Sequence, residues 1–115
     1  STVFNIGRAA KCTGGQLCFV NEGPISAMAS GPCGVCTFGM RLSPIQIDML
    51  AQHFKDGRII ILKESEDDPT QTCSILNDMV KGGCYVVSLP PKTDAADLGF
   101  NKTMELIENT LGITV

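Results

Sequence analysis

A chain of 115 residues is long enough for one packed domain and too short for two. Its 43% hydrophobic and 18% charged residues can fill a core, which argues against a disordered segment. A formal net charge of −3 lacks the basic surplus from which a stand-alone nucleic-acid binder draws most of its affinity. No apolar run approaches the roughly 18 residues that a membrane span needs.

The predicted elements follow in chain order. Thr2 to Lys11 reads as a short helix or a lead-in, and Gly14-Gly15 as a turn. Gln16-Leu17-Cys18-Phe19-Val20 is a candidate strand. Ser43-Pro44 pairs an N-cap with proline at the first helical position. Ile45, Ile47, Leu50, Ala51 and Phe54 then recur at helical spacing up to Gly57. Arg58-Ile59-Ile60-Ile61-Leu62 is a continuous, β-branched apolar run, the pattern of a strand buried on both faces. Ile75, Leu76, Met79 and Val80 mark a second helix, closed by Gly82-Gly83. Cys84 to Leu89 is a further strand, stopped by Pro90-Pro91, and Met104, Leu106, Ile107 and Leu111 mark a third helix.

Strands alternating with helices predict a single α/β domain over residues 1–115, with a mainly parallel sheet flanked by helices. In such sheets chemistry collects at the carboxyl ends of the strands. Acids stand at three of those ends: Glu22, then Glu64-Ser65-Glu66-Asp67-Asp68, then Asp94 and Asp97. Carboxylates converging from separate strand ends form a hard-oxygen cage suited to Mg²⁺ or Mn²⁺, beside which a free carboxylate can act as general acid or base. The competing reading makes Glu64 to Asp68 a solvated loop whose acids cap the next helix.

Four stretches, in order, resemble the Toprim domain of bacterial and phage DNA primases and primase-helicases. Val20-Asn21-Glu22-Gly23-Pro24-Ile25-Ser26-Ala27 resembles its first motif, a strand ending in Glu-Gly before a helix. Gly39-Met40-Arg41-Leu42-Ser43 resembles the segment in which Gly-Thr-x-Leu-Thr precedes a helix. The Ile59–Leu62 strand with its acidic tail stands at the place of the Asp-x-Asp metal motif. Leu89-Pro90-Pro91 through Asp94, Asp97 and Leu98 resembles the closing Leu-Pro…Asp-Pro-x-Asp-Leu stretch.

This resemblance implies a fold of about four strands, with Val35 to Phe38 as the second. It also implies metal-dependent nucleotidyl or phosphoryl transfer in DNA replication, as in DNA primase. Glu22 would be the catalytic acid or base, and Glu64, Glu66 and Asp68 the Mg²⁺ or Mn²⁺ ligands. Nucleic acid would be engaged through additional domains or chains, with replication proteins as partners.

Three departures from the family pattern bear on activity. Ser26 stands where the family has Asp, a longer glutamate replaces an aspartate of the Asp-x-Asp motif in either register, and no glycine follows the acids. Two registers compete for the metal pair. Glu64-Ser65-Glu66 puts Leu76, Met79 and Val80 at core helix positions, whereas Glu66-Asp67-Asp68 puts Asp78 there. The first is preferred.

Two other functional classes compete with the enzyme. One is a degenerate, non-catalytic Toprim module for nucleic-acid or protein binding. The other is a small thiol or zinc protein using Cys33 and Cys36, with Cys12 and Cys18 as the further ligands within reach. The apolar settings of several of the six cysteines favour reduced core thiols instead. His53, the single histidine, reads as structural. The N-terminus lacks the basic-then-apolar layout of a signal peptide, so a cytoplasmic domain without a membrane anchor is the expectation.

Overall fold

The computed structural model describes residues 3, 5–22, 34–37, 42–64 and 68–113. Its centre is the apolar run read as a doubly buried strand. Arg58–Lys63 (β3) pairs in parallel with Leu17–Asn21 (β1) on one side and Cys84–Ser88 (β4) on the other. Gly34–Cys36 (β2) pairs in parallel with the far side of β1. The result is a four-stranded, all-parallel sheet in the order β2-β1-β3-β4.

Strand alternation decides which side chain meets which layer. Cys18 and Val20 of β1 and Ile59 and Ile61 of β3 pack with Ile6, Ala9, Leu50, Ala51, Phe54, Leu76 and Val80. These come from Ile6–Thr13 (α1), Pro44–His53 (α2), Thr70–Met79 (α3) and the residues that close them. Phe19, Ile60, Leu62 and Val87 face the other way and meet Ile107. Ile107 belongs to Phe100–Leu111 (α5), which follows the single turn Ala95–Leu98 (α4). The sheet is therefore covered on both faces, the condition under which parallel strands read as unbroken apolar runs. No helix among the described residues is long and apolar enough to cross a membrane.

The helix ends follow local chemistry. Ser43 Oγ accepts from the Gln46 amide at 3.2 Å while Gln46 Oε1 accepts from the Ser43 amide at 3.0 Å, with Pro44 in the first turn. Gly14, in the left-handed region at φ 62°, ends α1. The N-terminal segment, read as a short helix or a lead-in over Thr2 to Lys11, is helical from Ile6 to Thr13. The helix expected just after Glu22-Gly23 lies outside the described residues.

Candidate functional site

The sheet order fixes where a site belongs. From β1 the chain moves outward to β2, then returns across β1 to place β3 and β4 on its other side. The connections diverge between β1 and β3, and beyond the carboxyl ends of such a pair is the position at which open parallel sheets bind ligands.

Glu22 is the first residue after β1 and Glu64 the first after β3, and both are half-buried. Val20 pairs with Ile61, so Glu22 stands level with Lys63 and Glu64 lies one step further on. Neighbouring strands run about 4.8 Å apart, so the two acids leave adjacent strand ends at the switch point. One carboxylate oxygen of Glu64, Oε1, is fully buried. The topology thus juxtaposes Glu22 and Glu64, residues 42 positions apart in sequence.

A buried polar layer, which sequence reading missed, braces this edge. Asn21 is fully buried at the end of β1, and its Nδ2 donates to Val35 O of β2 at 3.3 Å. The Thr37 amide continues the β1–β2 ladder by donating to Asn21 O at 3.1 Å. Gln46 Nε2 donates to Thr37 O at 3.0 Å, which ties the capping box of α2 to the end of β2. The signal was present in the Ser-x-x-Gln spacing of Ser43 and Gln46, of which only the serine was read as a cap.

Asp68 is exposed and occupied differently. Its Oδ1 accepts from both the amide and the hydroxyl of Thr70, the first residue of α3, an Asx-type turn at the helix entry that sides with the competing reading although Pro69 holds the N-cap position. The Thr70 hydroxyl first, then its amide, with the Lys63 charge behind them, hold the Asp68 carboxyl below its ordinary 3.8. Asp94 and Asp97 are likewise spent on a cap. Asp94 Oδ1 accepts from the Asp97 amide at 2.7 Å, and Asp97 Oδ2 accepts from the Asp94 amide at 3.2 Å, opening α4.

A lowered folded-state pKa means that Asp68 adds stability above the unfolded value, and that this stability is lost as pH falls through the folded one. In Asp68→Asn the amide oxygen still accepts from Thr70, but without charge. The variant should therefore unfold at lower urea than the parent at neutral pH. The gap should close as pH drops below 3.8, the value from which the group is displaced. Urea midpoints at a series of pH values check this, and a gap that persists in acid contradicts it.

Between the first turns of α2 and α3 lies a cleft of about 510 Å³, lined by Leu42, Pro44, Ile47, Asp68, Gln71, Thr72 and Ile75. Both helices start at the carboxyl edge, so the cleft opens on the same side of the sheet as Glu22 and Glu64. Its lining mixes polar groups of Asp68, Gln71 and Thr72 with apolar ones of Leu42, Pro44, Ile47 and Ile75.

Glu66, Ser26 and Cys33 lie outside the described residues. No group of three or more potential metal-ligating side chains occurs among the described residues. Of the positions that separated the two registers, Leu76 and Val80 are buried, Met79 is 40% exposed and Asp78 is exposed. Of the cysteines weighed as zinc ligands, Cys18 is buried in β1 and Cys12 is exposed on α1. His53 is exposed, and its Nδ1 donates to the Met49 carbonyl at 2.8 Å within α2, a structural role. Comparison of the chain with protein-family models, with curated proteins and with solved structures finds no match.

Proposed function

We propose that the carboxyl edge between β1 and β3 binds a divalent cation, Mg²⁺ or Mn²⁺, for phosphoryl or nucleotidyl transfer of the kind the Toprim resemblance implies. The observation that supports this reading is the placement of Glu22 and Glu64 directly after the two strands that flank the topological switch point.

The donor set fits such an ion. Carboxylate oxygens are the ligands that Mg²⁺ prefers, and partial burial of two acids on adjacent strand ends raises their mutual repulsion, which a cation relieves. Glu64 would hold the ion together with Glu66. When bound, the ion would neutralise charge on a phosphate oxygen. Glu22 would accept the proton of the attacking hydroxyl, the work of a general base. Asn21, Thr37 and Gln46 would keep the ends of β1 and β2 in place. In this reading a polynucleotide partner is supplied with its binding surface by further domains or chains, consistent with the net charge of −3.

Calorimetric titration tests the proposal. The parent should bind Mg²⁺ or Mn²⁺ saturably. Glu22→Gln, Glu64→Gln and Glu66→Gln should each weaken binding by at least about tenfold, the low end of what loss of even an outer-sphere partner costs. Helical content by circular dichroism should stay unchanged. If binding survives all three substitutions but fails in Asp68→Asn, the Glu66-Asp67-Asp68 register replaces the preferred one.

The second reading, a non-catalytic Toprim-like binding module, draws on a specific observation: Asp68 is engaged with Thr70 beside the cleft between α2 and α3. It takes the place of the first if the parent shows no saturable binding at millimolar metal.

A further inference from the structure

Cys73 and Cys84 play no part in the carboxyl-edge site, yet the fold brings the early part of α3 and the first residue of β4 together. Cys73 is half-buried on α3, packed against the core, and Cys84 opens β4 inside it. The Cys73 thiol donates to the Cys84 carbonyl at 3.2 Å, which sets the Cys73 sulfur directly against the residue that carries the other thiol. The pair is also braced. The Cys84 amide donates to Asn77 Oδ1 at 3.1 Å, and Gly83, at φ 82°, turns the chain into β4 beside that same oxygen. Burial first, and then the neighbouring Cys73, push the Cys84 thiol up, so it keeps its proton at neutral pH.

We propose that Cys73 and Cys84 form a reversible disulfide joining α3 to β4 when the chain meets a low-molecular-weight disulfide oxidant such as glutathione disulfide. Cys73, the more accessible thiol, loses its proton and attacks one sulfur of the oxidant. The oxidant's S–S bond breaks, one thiolate leaves and takes up that proton, and Cys73 carries a mixed disulfide. Cys84 then attacks the Cys73 sulfur. The protein disulfide forms, and the second oxidant thiol departs with the Cys84 proton. Two protein thiols are oxidised and one oxidant disulfide is reduced to two thiols. The second step is the slower, because Cys84 releases its proton reluctantly, and it proceeds because the Cys73 sulfur already touches the Cys84 backbone. The bond ties down α3, whose Gln71, Thr72 and Ile75 form one wall of the cleft.

The test uses the full chain under native conditions, equilibrated with reduced and oxidised glutathione, alkylated and digested with trypsin. Cleavage after Lys63, Lys81 and Lys92 places Cys73 in peptide 64–81 and Cys84 in peptide 82–92, whereas Cys12, Cys18, Cys33 and Cys36 share peptide 12–41. Mass spectrometry should find 64–81 joined to 82–92, separable by reductant, in a chain whose circular dichroism is unchanged. Cys84→Ser should arrest Cys73 as its glutathione adduct, and Cys73→Ser should leave Cys84 reduced. Any of three results in the parent overturns the proposal: a lasting adduct on Cys73, pairing of either residue with peptide 12–41, or both thiols still open to alkylation in excess glutathione disulfide. Joining that occurs only in denaturant overturns it as well.

Discussion

Phe54→Ala should cost the fold about 3–5 kcal/mol, the range for truncating a fully buried aromatic side chain. Phe54 closes α2 and is 0% exposed. It packs in the cluster that joins α1, α2 and α3 to Cys18, Val20, Ile59 and Ile61 of the two central strands. Removing the ring leaves a void bounded by elements that the sheet holds apart, so the site cannot collapse to fill it. A domain of this size is stable by only about 5–15 kcal/mol, so the variant should lose roughly a fifth or more of its margin and unfold at clearly lower urea. The contrast is Ile45→Ala on the same helix. Ile45 is 60% exposed, and its truncation should stay within about 0.5 kcal/mol. Equal effects for the two would show that the burial of Phe54 is not what holds α2 to the sheet.

The sequence made the layered α/β architecture legible for a physical reason. A run such as Ile59-Ile60-Ile61-Leu62 has no polar face, so it needs cover on both sides, and helices on both sides of a parallel sheet provide it. The Ser43 cap and the Gly14-Gly15 turn were legible because each acts through its own backbone. The acids were harder to sort. A carboxylate just after a strand and just before a helix suits both a cation and the free amides of the helix, and residue type alone does not separate the two. Asp68, Asp94 and Asp97 turned out to be engaged with helix N-termini, whereas Glu22 and Glu64 stand at the switch point. The buried Asn21 and Gln46 were missed because a polar residue at a strand end or in the first turn of a helix reads as surface until the packing that encloses it is known. The nearness of Cys73 and Cys84 was likewise hidden, since it depends on the turn at Gly83 and not on either residue's neighbours in sequence.

At the opposite edge of the sheet, Gly57→Ala should destabilise the protein by about 3 kcal/mol, the upper part of the usual range for forcing extra atoms into a packed site. The loops that lead into β1, β3 and β4 lie against one another there. The Arg58 amide donates to Gln16 O at 2.9 Å, and the Gly82 amide donates to Gly57 O at 2.7 Å. A Cβ on Gly57 would meet Gly15 O at 2.3 Å and Gln16 C and O at 2.7 Å. All three are backbone atoms, so no side-chain rotation relieves the clash, and β1 and β3 must separate at their start. Gly7→Ala should act with the opposite sign. Gly7 lies in α1 with nothing within 4 Å of its added Cβ, so alanine should stabilise by about 0.5–1 kcal/mol through helix propensity. Urea unfolding of the two variants reads both effects, and shifts in the same direction would refute the steric account. Because Gly57 is a strand length away from Glu22 and Glu64, cation affinity per folded molecule should match the parent's. Loss of stability without loss of affinity would separate the strand-start packing from the carboxyl-edge site, whereas Glu64→Gln should show the reverse.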